Sequence, residues 1–419
     1  MQNDFVPQGP TKPAPTKLKP TSAKKTNQEQ AVPFQTPDQV SEHDQGLATV
    51  PIDPSATPPV RGSGHHWFNL PWPPNRVEII AIGVVLIIAI FGVAGFAILH
   101  KPKAVETVAT ITPVKQAAPK PTTVASTLSG LPVQPEINQR PVVGVMIENS
   151  QEARPQSGLS EAGVVFEAIA EGGITRFLAL FQDQQPTNIG PVRSARPYYV
   201  QWSEGFRAAY VHVGGSPAAL QNIKDWNVQD INQFYNAGPF HRVSSRPSPH
   251  NMYSNVVDLA NVATQKGYKS EFTGFARKAA KAVTPPTASL IDLNISSSLY
   301  NVHYAYDAAS NSYIRSEGGA EQIDNNTGKH LTPNVVIAMV VPVAAGAKTA
   351  QGGSYSDYNP LGSGVAYVFQ DGVATAGSWH KATNTAQITF TDASGAALKL
   401  NPGQTWISAV TAPSKVTYK

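Results

Sequence analysis

Residues 162–181 read AGVVFEAIAEGGITRFLALF, two β-rich runs separated by Gly172 and Gly173. Two glycines between such runs are typical of a tight hairpin, because glycine adopts the positive φ angles that the turn requires. We therefore predict that this segment is a β-hairpin within a mixed sheet.

The segments on either side add strands and helices to this hairpin. Short apolar strands are predicted at Pro141–Ile147 and Arg207–Val213. The second strand leads into Gly214-Gly215-Ser216-Pro217, which suits the cap and first turn of a helix that ends near residue 225. Another helix is predicted from residue 254 to about 265. Strands that alternate with helices indicate a mixed α/β domain.

The second half of the folded region is β-rich. VHYAYD and SYIRSE form a hairpin candidate around residues 308–311, and Asp371-Gly372 is a strong hairpin signal. These strands predict a mainly antiparallel sandwich or a partly open barrel. Trp379, His380 and Lys381 form its most site-like cluster; the alternative is a half-buried aromatic residue with solvated basic neighbours.

An uninterrupted apolar run without charges extends from Ile79 to Leu99. At about 1.5 Å per residue, a helix of this length spans roughly 30 Å, the thickness of the hydrocarbon core of a bilayer. We predict a single transmembrane helix that contacts the lipid bilayer. We place the N-terminus in the cytoplasm, because long domains translocate with little regard to charge. Counted only near this run, the basic residues mildly favour the opposite orientation under the positive-inside rule.

The predicted fold class is α+β: a disordered tail and one transmembrane helix, then a mixed α/β domain followed by a mainly antiparallel β domain. The Pro- and Lys-rich tail has few aromatic residues and cannot bury enough apolar surface to fold. A second Pro/Thr-rich stretch after the apolar run is predicted to be a semi-extended tether. The predicted parts are a tail (1–76), a transmembrane helix (77–100), a tether (101–134), the α/β domain (135–280) and the β domain (286–419).

The composition excludes several classes of function. The chain has no cysteine, so disulfides, cysteine nucleophiles and a cysteine-linked lipid anchor are excluded. The net charge of +4 gives no case for nucleic acid as a partner. No HExxH spacing or paired-carboxylate cluster predicts a metal site, and no cofactor is expected.

The candidate binding residues lie in loops at the ends of predicted elements. Arginines in these loops are suited to an anion, because a guanidinium pairs with carboxylate or phosphate through two hydrogen bonds. The alternative is that each arginine forms an ion pair with Glu148, Glu161, Glu167 or Glu171. The predicted ligand-binding residues are Arg176, Arg193, Ser194, Arg196, Gly214, Gly215, Ser216, Arg242, Arg246, His250 and Asn251.

Two residues are candidates for acid–base chemistry. His250 lies in a proline-rich loop, where packing explains it less easily than in a strand, and Glu171 is its candidate partner or an alternative base. His212 lies within an apolar strand and is interpreted as a core histidine with satisfied hydrogen bonds. Ser216 fits a helix cap better than a nucleophile.

Four motifs in this order carry a family resemblance: EGGITRFLALF, NIGPVRSARPYY, VHVGGSP and PHNMYS. Over roughly residues 135–419 the chain resembles the YerB-like lipoprotein family of bacteria, defined by domain of unknown function 3048. The resemblance implies an extracytoplasmic, membrane-tethered protein of two linked domains and carries no established activity. The chain departs from the usual lipoprotein anchor by its apolar segment.

Two functions fit these residues. The first is a non-catalytic cell-envelope protein that binds an anionic wall polymer or a wall-synthesis protein through its arginine-rich loops. The second is an envelope hydrolase or transferase that acts on a phosphorylated or glycan substrate. In that case Arg193 and Arg196 would hold the anion and His250 would act as the acid or base.

Overall fold

The computed structural model describes residues 122–349 and 353–419. The predicted tail, the predicted transmembrane helix at Ile79–Leu99 and most of the predicted tether lie outside these residues. Within the two described ranges, no helix combines the length and the apolar character needed to span a bilayer.

The described residues contain three α-helices and many short strands. The helices are α1 (Pro197–Glu204), α2 (Pro217–Asp225) and α3 (Val256–Gln265). The strands are β1 (Val124–Ala125), β2 (Pro132–Val133), β3 (Val143–Glu148), β4 (Val164–Glu171), β5 (Ile174–Phe181), β6 (Ala209–His212), β7 (Asp230–Asn232), β8 (Phe240–Arg242), β9 (Met252–Ser254), β10 (Leu290–Leu293), β11 (Val302–Asp307), β12 (Ser312–Glu317), β13 (Ala320–Glu321), β14 (Val335–Val340), β15 (Val343–Lys348), β16 (Ser354–Tyr358), β17 (Gly362–Gln370), β18 (Val373–Lys381), β19 (Thr389–Asp392), β20 (Thr405–Val410) and β21 (Val416–Tyr418).

Twelve strands from both halves of the folded region form one large mixed sheet. Ten of them follow the order β19-β18-β17-β14-β20-β4-β5-β3-β6-β7, and the hairpin of β15 and β16 joins β4 through the pair Tyr355 and Glu171. The two halves meet where β20 runs parallel to β4. The broad α+β class is confirmed. The second half is not a separate sandwich or barrel, because its central strands extend the sheet of the first half.

Both faces of the large sheet are covered. Helices α1 and α2 pack on one face, where the ring of Trp202 stacks on Phe166 at 5.2 Å between centroids. Helix α3 covers the first-half strands on the opposite face. A second sheet of five strands, ordered β13-β12-β11-β10-β21, covers the second-half strands there. This double coverage explains why β3, β4 and β5 are nearly continuous apolar runs.

The three predicted hairpins, at Gly172-Gly173, at residues 308–311 and at Asp371-Gly372, are confirmed. Gly172 and Gly173 have φ angles of +56° and +82°, and Asp371 and Gly372 have φ angles of +59° and +76°. At Gly372 a Cβ atom would also lie 2.6 Å from the Tyr306 ring, so a side chain would be excluded by space as well as by φ.

The folded region begins before the predicted end of the tether at residue 134. Strands β1 and β2 pair with each other, and the side chain of Leu128 between them belongs to the core. The hydroxyls of Ser126 and Ser129 both donate to the carboxylate of Asp183. The other predicted domain boundaries stay predictions.

A buried group of three charged side chains joins the two sheets. Arg315 on β12 contacts Glu167 on β4 at 2.8 Å and Glu317 at 3.3 Å, and neither Glu167 nor Arg315 is accessible to water. Trp406 Nε1 and Ser408 Oγ each donate to Glu167 Oε2 at 3.0 Å. We call Glu167, Arg315 and Glu317 the buried triad. Its carboxylates and guanidinium compensate one another, as buried charges require.

Removal of the central charge should destabilise the protein strongly. Arg315→Met leaves the buried carboxylate of Glu167 without its counterion, a change that typically costs about 3–5 kcal/mol of unfolding free energy. The matched control is Asp292→Asn in the exposed pair of His303 and Asp292, which should change that free energy by less than about 0.5 kcal/mol. Urea unfolding measures both. Equal effects of the two substitutions would contradict this role of the triad.

The stability of the protein should also depend on the titration of Glu317. Burial raises the pKa of Glu317 to about 7 in spite of the opposing charge of Arg315. The folded protein then binds this proton more tightly than the unfolded chain, so the contribution of Glu317 is lost as pH rises from about 4.5 through 7. Glu317→Gln does not titrate, so its unfolding free energy relative to wild type should increase between pH 5 and pH 8. A pH-independent difference in urea unfolding would refute this assignment.

Candidate functional site

The loop that carries Arg193, Ser194 and Arg196, which we call the arginine loop, lies beside the turn at Gly214 and Gly215. Both segments lie at one edge of the large sheet. Val213 N donates to Arg193 O at 3.1 Å, Ala195 N donates to Gly214 O at 2.9 Å, and Ser216 N donates to Ala195 O at 3.2 Å. The carboxyl ends of β3, β4 and β6 and the start of β5 reach the same edge, since β3 runs parallel to β6 and antiparallel to β5. Polar residues from distant motifs therefore meet there.

Two arginines share one carboxylate at this edge. Arg176 Nη2 and Arg196 Nη2 each contact a different oxygen of Glu171. Arg176 Nη1 also donates to Ser194, at 2.9 Å to the carbonyl oxygen and 3.2 Å to the hydroxyl. The guanidinium of Arg196 lies 4.7 Å from the centroid of the Tyr355 ring on β16. We call Glu171, Arg176, Ser194, Arg196 and Tyr355 the arginine centre.

The arginine centre carries two positive charges and one negative charge in a largely dry environment. Both arginines are buried, whereas the side chain of Glu171 is 26% exposed. Burial lowers the pKa of each guanidinium, because desolvation disfavours its charge. The Nε atoms of Arg176 and Arg196 have no hydrogen-bond partner among the described residues.

A cavity opens beside the arginine centre. Its volume is about 400 Å³, and it is lined by Glu171, Gly172, Ile174, Ser194, Arg196, Thr349, Gly353 and Tyr355. A negatively charged oxygen in this cavity would lie against a buried guanidinium and a hydroxyl donor. The arrangement is therefore suited to holding an anion.

A second polar group surrounds His250. Glu148 Oε1 lies 3.0 Å from His250 Nδ1 and 3.1 Å from Arg193 Nε, and it accepts a hydrogen bond from Ser150 Oγ at 3.2 Å. The contact with Arg193 is an ion pair whose N–H is not aligned for a hydrogen bond. We call Glu148, Ser150, Arg193 and His250 the histidine centre.

The histidine centre lacks the geometry of a Ser-His-acid triad. Ser150 Oγ contacts His250 Nδ1 at 3.3 Å, the same nitrogen that faces Glu148, whereas a serine nucleophile needs the opposite nitrogen. His250 Nε2 has no hydrogen-bond partner within the described ranges, and the side chain is 20% exposed. A carboxylate thus orients an imidazole whose outer nitrogen is available for proton transfer. The partner is Glu148; Glu171 lies in the arginine centre instead.

The other predicted site residues have local roles. Ser216 Oγ accepts a hydrogen bond from Ala219 N at 3.3 Å and so caps α2. Arg242 Nη1 donates to Asn251 Oδ1 at 2.6 Å, and Arg246 donates to the carbonyl oxygens of residues 152 and 155. Gly214 and Gly215 form the turn that flanks the arginine loop. The structure therefore brings Arg176, Arg193, Ser194 and Arg196 together but pairs Arg242 with Asn251.

Three of the five arginines predicted to bind a ligand form the ion pairs that were the alternative to an anion site. Arg176 and Arg196 pair with Glu171, and Arg193 pairs with Glu148. His212 is buried with both ring nitrogens in contact, Nδ1 with Gly214 O at 2.6 Å and Nε2 with Asp230 Oδ1 at 2.8 Å. Its interpretation as a core histidine is confirmed.

Three residues of the two centres were not among the predicted site residues. Glu148 and Ser150 directly follow the apolar strand β3, and polar residues at a strand end were a usable signal for them. Tyr355 lies far along the chain in β16, and no local pattern links it to the arginine loop.

Comparisons with known proteins identify the family. The family described as "Protein of unknown function (DUF3048)" matches with its N-terminal domain at residues 128–269 and with its C-terminal domain at residues 291–407. The chain is 35% identical over 288 residues to the Bacillus subtilis (strain 168) protein named "Putative lipoprotein YerB". The aligned residues cover 68% of this chain and 85% of that protein. The crystal structure of YerB from Bacillus subtilis is similar with a TM-score of 0.62 and 31% identity, over 71% of this chain and 99% of that chain. The chain belongs to this YerB-like family, as its motifs predict.

Proposed function

We propose that this member of the DUF3048 family is an extracytoplasmic cell-envelope protein that binds an anionic wall polymer at the arginine centre. The apolar segment Ile79–Leu99 would anchor it in the membrane as a single-pass protein with a cytoplasmic N-terminus. The name of the Bacillus relative, a lipoprotein, supports a membrane-anchored protein whose folded part faces outward.

The observation that carries this proposal is the pair of buried guanidinium groups on one carboxylate at the cavity. The centre keeps one uncompensated positive charge, and an anion would neutralise it. Each charge-assisted hydrogen bond contributes about 1.5–3 kcal/mol when both groups are well placed. Since Glu171 and Tyr355 already hold Arg196, a ligand need not order this side chain on binding.

The predicted tether suits a ligand in the wall. Residues 101–121 precede the described region, and an extended chain of that length reaches at most about 70 Å. A site carried this far from the bilayer could contact polymers that a protein seated on the membrane could not.

The proposal predicts that binding depends on the shape of the Arg196 guanidinium as well as on its charge. Arg196→Lys keeps the charge next to Glu171 but loses the planar fork and the contact with the Tyr355 ring, and Arg-to-Lys changes at such sites are not conservative. We expect the full-length protein in detergent to bind isolated cell walls about tenfold more weakly or worse, a loss of about 1.4 kcal/mol or more. Co-sedimentation measures this.

Two controls make the experiment specific. Arg242→Lys changes an arginine outside both centres and should bind walls as the wild type does. Walls stripped of their phosphate-containing polymers should bind wild-type protein weakly. If Arg196→Lys and Arg242→Lys bind equally well, or if stripped walls bind normally, the arginine centre is not the anion site.

The histidine centre favours a second candidate function, an envelope hydrolase or transferase. Glu148 orients His250 through Nδ1 and leaves Nε2 available, as a general acid or base requires. Arg193 contacts the carboxylate of Glu148, so the loop that carries Arg193 and Arg196 contributes a side chain to each of the two centres.

The enzyme hypothesis predicts a specific loss of turnover. His250→Gln should lower the release of soluble products from isolated walls by about 10²–10⁴-fold, since general acid–base groups contribute rate factors of this size. His303→Gln is the matched control, because His303 also faces a carboxylate through Nδ1, at 2.8 Å from Asp292, on an exposed surface. If the wild type releases no product over time, the protein is a binder and not this enzyme.

A further inference from the structure

Two neighbouring aromatic side chains lie on the surface of the described region with most of their rings in water. Tyr235 is 84% exposed and Phe234 is 69% exposed, more than any other large apolar side chain of the described residues. They directly follow β7, the last strand of the large sheet. A single exposed apolar residue is common, whereas adjacent exposed aromatic rings are typical of a contact surface.

Asn232, the last residue of β7, holds the turn that carries the two rings. Its carbonyl oxygen accepts hydrogen bonds from Tyr235 N and Asn236 N, both at 3.0 Å. Its Oδ1 accepts from Phe234 N and from Gly214 N, both at 3.3 Å. The backbone under Tyr235 is therefore already in place, so a ligand need not order this turn on binding.

Tyr235 borders a cavity between β7 and α2. Its volume is about 460 Å³, within the range of about 300–1,000 Å³ that small-molecule sites occupy. It shares no lining residue with the cavity at the arginine centre. The lining residues are Leu220, Ile223, Lys224, Asn227, Val228, Asp230, Asn232 and Tyr235. We call it the tyrosine cavity.

Two strand residues offer polar atoms there. Asp230 and Asn232 are two positions apart on β7, so their side chains leave the strand on the same side. Asp230 Oδ1 contacts His212 Nε2 at 2.8 Å, and Asn232 Oδ1 accepts the two backbone bonds of the turn. Asp230 Oδ2 and Asn232 Nδ2 have no hydrogen-bond partner among the described residues, and neither is an enclosed atom. An acceptor and a donor are therefore accessible on residues that line the tyrosine cavity.

The lining also carries one positive and one negative side chain. Lys224 is exposed, and its ammonium group has no carboxylate partner among the described residues, since Asp230 contacts His212 instead. An anionic ligand would meet the carboxylate of Asp230, and a cationic ligand would meet the ammonium of Lys224. A hydroxyl group suits both, because it donates one hydrogen bond and accepts others.

We propose that the tyrosine cavity binds a neutral glycan, with one sugar ring packed on Tyr235. The face of a pyranose ring carries C–H groups that pack on an aromatic ring, and its edge carries hydroxyls. These hydroxyls would donate to Asp230 Oδ2 and accept from Lys224 Nζ and Asn232 Nδ2. A peptide has no ring that combines an apolar face with hydroxyls around its edge. The inference does not rest on the anion site, because its ligand is uncharged and its residues are different.

Saturation-transfer NMR of the full-length protein, in a detergent without a sugar headgroup, tests this site. The probes are cellotetraose and chitotetraose, two neutral oligosaccharides, and N-acetyl-tetraalanine amide, a neutral peptide. At least one oligosaccharide should bind in about the millimolar range or tighter, and the peptide should not bind. Binding should be equal at about 50 and 500 mM salt, because an uncharged ligand has no charge to screen.

Substitutions at the adjacent aromatic residues locate the binding surface. Tyr235→Ala should weaken oligosaccharide binding about tenfold or more, as the loss of an aromatic anchor does, and leave the melting temperature unchanged because the ring is exposed. Tyr235→Phe keeps the ring and should restore binding. Phe234→Ala is the matched control, since this ring lies against Gly214 and outside the lining of the tyrosine cavity. It should bind the oligosaccharide as the wild type does.

A helix variant makes the test independent of the turn. Lys224→Met removes the ammonium donor from an exposed position of α2 and should weaken oligosaccharide binding several-fold without a change in melting temperature. The proposal is overturned if neither oligosaccharide binds or if the peptide binds as well. It is also overturned if Tyr235→Ala or Lys224→Met binds as the wild type does, or if Phe234→Ala loses as much affinity as Tyr235→Ala. Because the probes carry no charge, a failure of Arg196→Lys to affect wall binding leaves this result unchanged.

Discussion

The carboxylate of Glu167 and the guanidinium of Arg315 meet at 2.8 Å in the space between the two sheets, where neither is accessible to water. Glu167 belongs to the central strand β4, and Arg315 belongs to the sheet that covers its second-half neighbours. Each charge would be costly in this environment without the other. The ring of Trp406 lies 4.4 Å from the guanidinium and excludes water from the pair. The relative placement of the two sheets therefore depends on this contact.

The same network extends from the buried triad to the candidate site. Asn149 Nδ2 donates to Glu317 Oε1 and to Thr175 Oγ1, each at 2.6 Å, which fixes the chain directly after β3. Glu148 and Ser150 of the histidine centre are the neighbours of Asn149 in sequence. Arg193 then contacts Glu148, while Ser194 and Arg196, in the same loop, belong to the arginine centre. The contact between the sheets, the histidine centre and the arginine centre are thus linked through hydrogen bonds, ion pairs and neighbouring residues of the chain.

Local sequence patterns predict the local parts of this fold correctly. The turns at Gly172-Gly173 and Asp371-Gly372 and the Ser216 cap of α2 depend on backbone angles and short-range hydrogen bonds, which neighbouring residues determine. The parallel pairing of β20 with β4 joins segments far apart in the chain, and no short-range pattern encodes such a pairing. The prediction of a mainly antiparallel sandwich or barrel therefore missed that one of the two sheets in the second half is shared with the first half.

Charged residues were misjudged for the same physical reason. Lys381 was considered a solvated neighbour of Trp379, yet it is buried and donates to the carbonyl oxygen of Asn384 at 2.9 Å. Arg196 lies in a loop, but Tyr355 from the second half covers it. The burial of a loop side chain depends on what packs over it, and that is a property of the tertiary fold. Residue types therefore drew attention to the arginines of this loop, whereas their carboxylate and aromatic partners required the structure.

The ion pairs within the arginine centre have two opposing effects on a ligand. Glu171 holds both guanidinium groups in place, so little side-chain entropy is lost when an anion arrives. The same carboxylate repels that anion and competes for the same donors, and it stays near the opening because its side chain is 26% exposed. A single isolated anionic group would therefore bind weakly. A polymer that presents many such groups gains affinity when several copies of the protein on one membrane each hold one group, because later contacts then form at high effective concentration. An arginine centre already occupied by one carboxylate is for this reason better suited to a repetitive anionic polymer than to a small free anion.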